Sequence, residues 1–363
     1  MTTATSDKKE ETGRTPSMFA SLLVMGLMIA LILLSVSFFG GAVADGALQV
    51  SMTLATLFAL CVAYYYGFRD SLISEAIAKG INGTIGTVFV ILAIGTVIGT
   101  LYLSGSVAAF VYYGAAIISP KFFYVTVFIL ASVLSMLLGS SLTTVGAVGI
   151  AFVGLASIMG VNPAIAAGAA VSGAIFGNKV AKISDTANLT IATVGGLTID
   201  EHSKIVLRTS IPTWGISALL FLLLGFIGGS GSGAVDVTKV QDAISQYFNI
   251  SLLAFLPVIL IFVLSGLRFS AYLSLMLSAI FAVVLAAFTQ HDLIVAMAAD
   301  PSLGYFEASL KVGIDTITNG FHLNSGVAEI DQLFSGGGVA GMLTTVWLVL
   351  VAASFGAVTN YTG

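Results

Sequence analysis

Apolar runs of about 20 residues, the length that crosses a bilayer as a helix, recur along this chain with short polar stretches between them. Runs at 18–39, 47–68, 84–104, 121–138, 144–160, 163–177, 210–229, 251–267, 269–289 and 342–359 are each predicted to span as helices. The piece from Val107 to Ile118 is too short to cross and is predicted to be re-entrant. Residues 1–17 are polar and read as a disordered cytoplasmic tail. Ala42-Val43-Ala44 has the small-residue pattern of a signal-peptidase site. The run before it exceeds the roughly 7–15 residues of a signal-peptide core, so 18–39 is kept as the first span.

Composition agrees with that pattern. The chain has 363 residues, of which 58% are hydrophobic and 8% charged, against about 25% charged in a soluble domain. A net charge of −4 suggests no nucleic-acid partner. The single cysteine, Cys61, lies in an apolar run and reads as a small packing residue. Neither a phosphate-cradling loop nor a metal-spaced Cys/His cluster is present, so no cofactor and no enzyme chemistry are expected.

Lysine and arginine set the orientation. With the N-terminus inside, alternating through the spans leaves Lys8, Lys9, Arg14, Arg69, Lys79, Lys179, Lys182, Lys204, Arg208 and Arg268 on the cytoplasmic side. Only Lys121, Lys239 and Lys311 fall outside. The bias predicts a multi-pass protein of the cytoplasmic membrane with a cytoplasmic N-terminus and an extracytoplasmic loop at 230–250.

Two polar stretches interrupt the apolar pattern: Gly139–Gly146, "GSSLTTVG", and Phe176–Gly196, "FGNKVAKISDTANLTIATVGG". Irregular backbone at membrane depth survives only where protein or water covers it. Hydroxyl and amide oxygens with freed carbonyls suit a small hard cation. Asp185 is the carboxylate placed to lie at depth, where an acid is costly and is by default a functional candidate. Ionised it can hold Na⁺, and protonated it holds H⁺, so one group can make the two compete. A plainer role for Asp185 is capping a helix or pairing with Lys182. Gly86, Gly95, Gly99, Gly149, Gly168 and Gly173 read as close-packing positions. Lys179 and Lys182 read as cytoplasmic anchors, and His202, His291 and His322 as solvated loop residues.

A weak internal repeat adds an architecture. Leu72–Gly105 aligns without gaps onto Ile330–Gly363 at an offset of 258, matching Gly80, Gly83, Thr87, Val88, Leu92 and Gly105 with Gly338, Gly341, Thr345, Val346, Leu350 and Gly363. The first copy starts inside and the second outside, the pattern of inverted-topology repeats. The expected fold is therefore an all-α polytopic membrane protein, an inverted-repeat secondary transporter with discontinuous helices. Its first repeat covers 18–229. The second starts at 251 and is incomplete at 363, because partners of the two polar stretches would lie beyond that residue.

At these residues the chain resembles the NhaC family of Na⁺/H⁺ antiporters, within the ion-transporter superfamily, from about residue 20 onward. "SGAIFGNKVAKISDTANLTIATVG" is similar to the family's Phe-Gly-Asp-Lys…Ser-Asp-Thr-x-Asn-Leu signature. "SGSVAAFVYYGAAIISPKFF" with "GSSLTTVG" resembles the stretch leading into its Gly-Thr-Ser-Trp-Gly-Thr motif, and "GGGVAGMLTTVWLVLVAASFGAVTNYTG" the opening of its second repeat. The resemblance implies two inverted repeats, discontinuous helices meeting at midmembrane, and Na⁺ movement coupled to H⁺. Ser184, Asp185, Thr186 and Asn188 fall on the Ser-Asp-Thr-x-Asn signature. Ser140 and Ser141 fall on the Thr-Ser of the other motif and Thr144 on its last Thr. Leu142-Thr143 stands where the family has Trp-Gly, and Asn178 where the signature has its first Asp. An amide takes up no proton near neutral pH, so that departure bears on H⁺ coupling. The expected ion pathway is Ser140, Ser141, Thr143, Thr144, Asn178, Ser184, Asp185, Thr186 and Asn188. The expected partners are Na⁺, H⁺ and the lipid bilayer, and a homo-oligomer stays open. The alternative function is an ion-coupled organic-acid exchanger of the malate/lactate type. An anionic substrate would want a mid-helix Arg or Lys, and no predicted span carries one. A non-transporting fragment or membrane scaffold is the third reading.

Overall fold

The computed structural model describes residues 13–117, 119–138, 141–181, 184, 199–228, 237–323, 331 and 334–362. Its elements are helices α1 (Met18–Phe39), α2 (Ala47–Tyr65), α3 (Asp70–Leu103), α4 (Ser106–Ile117), α5 (Phe123–Leu138), α6 (Ser141–Thr144), α7 (Ile150–Ile158), α8 (Pro163–Val180) and α9 (Ile199–Gly228). There follow α10 (Val237–Tyr247), α11 (Leu256–Gly266), α12 (Ala271–Thr289), α13 (His291–Ala298), α14 (Tyr305–Asn319) and α15 (Gly338–Thr362). A two-residue antiparallel ladder pairs β1 (Phe321–His322) with β2 (Ser335–Gly336). Among the described residues six helices are long and apolar enough to cross a membrane: α1, α2, α3, α9, α12 and α15. The protein is an all-α polytopic membrane protein.

Local sequence explains several helix ends. Ser17 caps α1 by accepting from the Ala20 N–H at 3.2 Å, and Ser270 caps α12 through the Leu273 N–H at 3.3 Å. Asn162 accepts from Ala164 N–H at 2.9 Å, with Pro163 behind it at the first helical position, where its missing N–H costs nothing. Gly105 parts α3 from α4 at φ +75°, and a methyl there would lie 2.6 Å from Gln290 Nε2. Glycine alone meets both demands.

Several elements depart from the predicted spans. The span expected from residue 84 belongs to a 34-residue helix that starts at Asp70, so the polar turns before residue 84 are helical too. The span 144–160 is a π-helical turn, Val145–Gly149, followed by α7. The span 251–267 is a 3₁₀ turn, Leu252–Phe255, running into the 11-residue α11. Within 230–250, Val237–Tyr247 forms an amphipathic helix that buries Ile244 and is followed by buried Phe248. His202 lies inside α9, His291 opens α13 and His322 is in β1, so none of the three is a loop residue.

The chain packs as two units, Met1–Leu92 with Met342–Gly363, and Ala93–Gly341. In the first, Val24, Met52, Ala55, Ala59, Ala63, Phe68, Ile73, Phe355 and Val358 form the core. Gln49 Nε2 donates to Thr344 O at 3.0 Å, and the Ser35 and Ser51 hydroxyls meet at 2.5 Å. Gly80 of α3 lies against Ala357 and Ala353 of α15, and Phe68 stacks edge-on to Tyr361, so the two helices run antiparallel here.

The second unit is built around α5 and α8. Gly173 and Gly177 let the α8 backbone touch that of α5: a methyl at either would land on Phe128 O or Ser132 O. Ser135 Oγ donates across the pair to Ala174 O at 2.6 Å. Helix α9 lies on both through Trp214, whose ring meets Phe128 and Phe176 and whose Nε1–H donates to Ser132 Oγ at 3.1 Å. Elsewhere in this unit Tyr102, Phe248, Phe321 and Phe334 form a buried aromatic cluster. The close-packing expectation thus holds for Gly173, and for Gly99, which abuts Thr316 O. It fails for Gly86 and Gly168, which face open space.

Candidate functional site

The first polar stretch interrupts the helix that follows α5. Ser141–Thr144 is a single α-turn that passes into the π-turn Val145–Gly149 before α7 begins. A π-turn widens the ring of backbone hydrogen bonds, and such turns are frequent at functional positions. The α6 turn packs against α5 and α8. Thr144 is fully buried and Ser141 half-buried. Ser140 and the side chain of Thr143 lie outside the described residues.

The second stretch begins on α8. Its buried face is made of small residues: Ala166, Ala169, Ala170, Gly173, Ala174 and Gly177. That face holds the helix tightly on α5 and carries Asn178 at its last turn. Ala181 N–H closes the helix on Gly177 O at 3.0 Å. The chain then turns so that the buried Ser184 hydroxyl donates to Asn178 Oδ1 at 2.8 Å. Lys179, one residue on from Asn178, is exposed in the last turn, where a cation favours the helix dipole. Asp185, Thr186 and Asn188 lie outside the described residues, as does Lys182.

Of the predicted pathway the structure therefore brings together Asn178 and Ser184 directly, and seats the turn bearing Ser141 and Thr144 against the helix bearing Asn178. The Asn178–Ser184 pair is polar, uncharged and set among apolar helices. It offers oxygen lone pairs to a hard cation. It has no group that titrates near neutral pH. Among the described residues no three His, Cys, Asp or Glu side chains converge as a metal site would need.

The structure also holds a polar cluster that the sequence reading passed over. Buried Gln290 donates from Nε2 to Asn249 O at 3.0 Å and to Ser104 O at 3.4 Å, and its Oε1 accepts from Asn249 N–H at 3.0 Å. The Ser104 and Ser106 hydroxyls meet at 2.8 Å, and Ser106 donates to Ala254 O at 2.5 Å. These groups join the α3–α4 break, the segment before α11 and the end of α12. Gln290 and Asn249 also line a cavity of about 570 Å³ bordered by Tyr112, Tyr247, His291 and Asp292. Ser104-Gly105-Ser106, a third Gly/Ser break after an apolar run, was the signal for it.

The turn from α13 to α14 carries a perturbed acid. Asp300 accepts from the Ser302 hydroxyl at 2.6 Å and from Ser302 N–H at 3.0 Å. The hydroxyl first, then the amide, hold its carboxyl below the usual range against desolvation, with the charge of Lys311 adding least. Lys311 itself reaches Ala298 O, at the end of α13, at 3.0 Å.

With helices interrupted at buried hydroxyl and amide groups, the fold and the described part of the site are of the membrane-transporter type. Residues 173–363 match the Na⁺/H⁺ antiporter family. The chain is 31% identical over 349 residues to the Na⁺/H⁺ antiporter NhaC of Alkalihalophilus pseudofirmus, covering 94% of this chain and 70% of that protein. It is 29% identical to the malate-2H⁺/Na⁺-lactate antiporter of Bacillus subtilis, over 94% of this chain and 69% of that one. It is 27% identical to the arginine/ornithine antiporter ArcD of Halobacterium salinarum, over 83% and 59% respectively. No solved structure matches the chain. The chain belongs to the Na⁺/H⁺ antiporter family.

Proposed function

We propose that this protein exchanges Na⁺ for H⁺ across the cytoplasmic membrane by alternating access, with its N-terminus in the cytoplasm. The observation that carries the reading is the Ser184–Asn178 hydrogen bond at the end of α8, beside a helix broken at Ser141–Gly149. Neutral oxygens at a helix break replace the hydration of a small cation. Ser140, Ser141, Thr143, Thr144, Asn178, Ser184, Asp185, Thr186 and Asn188 are the proposed ion pathway, with Asp185 supplying the charge. The proposed division is a first repeat at 18–229 and a second, inverted one from 251. The antiparallel contact of α3 with α15 supports it.

An organic-acid exchange coupled to ions is the second reading. It is favoured by one finding, the nearly equal similarity to the malate/lactate antiporter. Against it, the charged side chain on α5–α8 is Lys179, which is exposed. The experiment is reconstitution into vesicles holding a pH-sensitive dye. A Na⁺ gradient alone should drive opposite proton movement. Flux that appears only when malate or lactate is added would replace the first reading by the second, and no flux under either condition sinks both.

A further inference from the structure

The cavity beside Gln290 lies wholly within the unit Ala93–Gly341, and none of the residues proposed for the ion path lines it. Its volume of about 570 Å³ falls in the range of small-molecule sites, about 300–1,000 Å³. Three segments distant in sequence build it. They are Tyr112 and Tyr113 of α4, residues 245–250 at the end of α10 and just beyond, and residues 288–293 where α12 gives way to α13. In the orientation predicted from lysine and arginine all three fall on the outer side.

Hydrogen bonds hold these segments together without a ligand. Gln290, 2% exposed, grips the backbone of Asn249 through both its Nε2 and its Oε1, and reaches Ser104 O as well. Gln241 Nε2 donates to Tyr112 O at 3.1 Å, which fastens α10 to α4. The Tyr112 and Tyr113 rings meet edge to face at 5.2 Å. A cavity already formed loses little to reorganisation when a ligand enters.

The lining selects by charge. Among the described residues it contains one carboxylate, Asp292, and neither Lys nor Arg. Much of the rest is aromatic, with Tyr247 and Phe288 joining the two tyrosines of α4. The face of an aromatic ring is negative and attracts an ammonium group. Both N–H bonds of the Gln290 amide are engaged, so its Oε1, with a second lone pair, is what it can offer a ligand. Rings, carboxylate and acceptor all suit a cation that also carries a hydrogen-bond donor. The first-turn amides of α13 would by themselves suit an anion, but Asp292 stands in that turn and opposes one.

We propose that this cavity binds a small organic cation bearing an ammonium group. The tyrosine rings hold the charged head, Asp292 supplies the counter-charge, and Gln290 Oε1 accepts from a donor on the ligand. The site is separate from the ion path, and its occupation does not depend on the antiport reading.

Choline serves as the probe, since it carries a quaternary ammonium and a hydroxyl donor. Purified wild-type protein in detergent, dialysed to equilibrium against radiolabelled choline, should show saturable binding. The neutral dimethylbutanol isostere, with carbon in place of the nitrogen, should not displace it at the same concentration, nor should malate. Asp292→Asn should weaken binding by about fivefold, the upper scale for an exposed ion pair. Tyr112→Leu should weaken it by about threefold or more, while Tyr112→Phe, which keeps the ring, should bind as the wild type does. Asp292 is exposed, so its substitution leaves packing untouched, and the competition on the wild type needs no variant at all. Absence of saturable binding, displacement by the neutral isostere or by malate, or an unchanged affinity in Asp292→Asn each overturns the proposal. A wild type that binds choline as expected yet moves no protons with Na⁺ would sink the antiport reading and leave this site standing.

Discussion

At the scale of single residues, position 178 is the most informative. Its sequence meaning was open, because an amide in place of an acid bears on H⁺ coupling without saying how. The structure gives the amide a partner, the Ser184 hydroxyl at 2.8 Å. That hydrogen bond was not legible in the sequence. It depends on the chain leaving α8 and turning back within six residues, and no periodicity encodes such a turn. Asn178→Asp places a carboxyl where Ser184 already donates, which favours the ionised form, while burial opposes it. The expected outcome is a new acid limb in the pH profile of Na⁺-driven flux, where H⁺ displaces Na⁺ from the added carboxylate. Measuring that profile in vesicles decides it, and an unchanged profile removes position 178 from coupling. Asp300 offers a simpler titration. Its folded pKa is depressed by Ser302 and Lys311, so its contribution to the α13–α14 turn is complete above the ordinary carboxyl pKa of about 3.9 and is lost as pH falls through the lower folded value. Hydrogen-exchange protection of the Ser302 amide, corrected for intrinsic rates, should fall through that acid window in the wild type. In Asp300→Asn it should show no such pH dependence.

Among elements, α8 shows why some of the fold was legible and some was not. The run of small residues from Pro163 to Gly177 was readable as a close-packing helix from composition alone. Which glycines do the packing was not, because apolar faces in a membrane protein meet either lipid or protein and hydropathy does not separate them. Gly173 and Gly177 turn toward α5, whereas Gly168 faces open space on the same helix. Gly173→Ala or Gly177→Ala puts a methyl on a backbone carbonyl that has nowhere to go, a form of overpacking that costs about 1–3 kcal/mol. Both variants should lower the melting temperature in detergent. Gly168→Ala should leave it unchanged or raise it slightly, since alanine is the better helix former by roughly 1 kcal/mol. A thermal-shift series on the three variants checks the ordering, and equal effects at 168 and 177 would contradict the assigned faces. The same limit explains the broken elements. Hydropathy sees 144–160 as one apolar run, while the π-turn at Val145–Gly149 is a matter of backbone hydrogen bonding.

For the whole molecule, the internal repeat and the charge bias make a joint claim about sidedness. The offset of 258 pairs Gly80 with Gly338 and Gly99 with Ala357. In one packing unit Gly80 meets Ala357, and in the other Gly99 meets Gly337. Exchanging the copies turns the first contact into one that lies a single residue from the second, as the proposed inverted relation between α3 and α15 expects. Such a relation needs α3 to enter the membrane from the side opposite to α15. The length of α3 says which end stays wet: 34 residues make a helix of about 51 Å, against about 30 Å of hydrocarbon. The surplus falls at its charged start, near Asp70, Glu75 and Lys79. The lysine and arginine bias predicts a cytoplasmic start and an outside α13–α14 turn. In a Cys61→Ala background, Ser302→Cys should react with a membrane-impermeant maleimide on intact cells, and Glu75→Cys only after permeabilisation. Both side chains are exposed, so access to the reagent is set by the membrane and not by burial. The reverse pattern would invert the molecule and put the ends of α6 and α8 on the outer face.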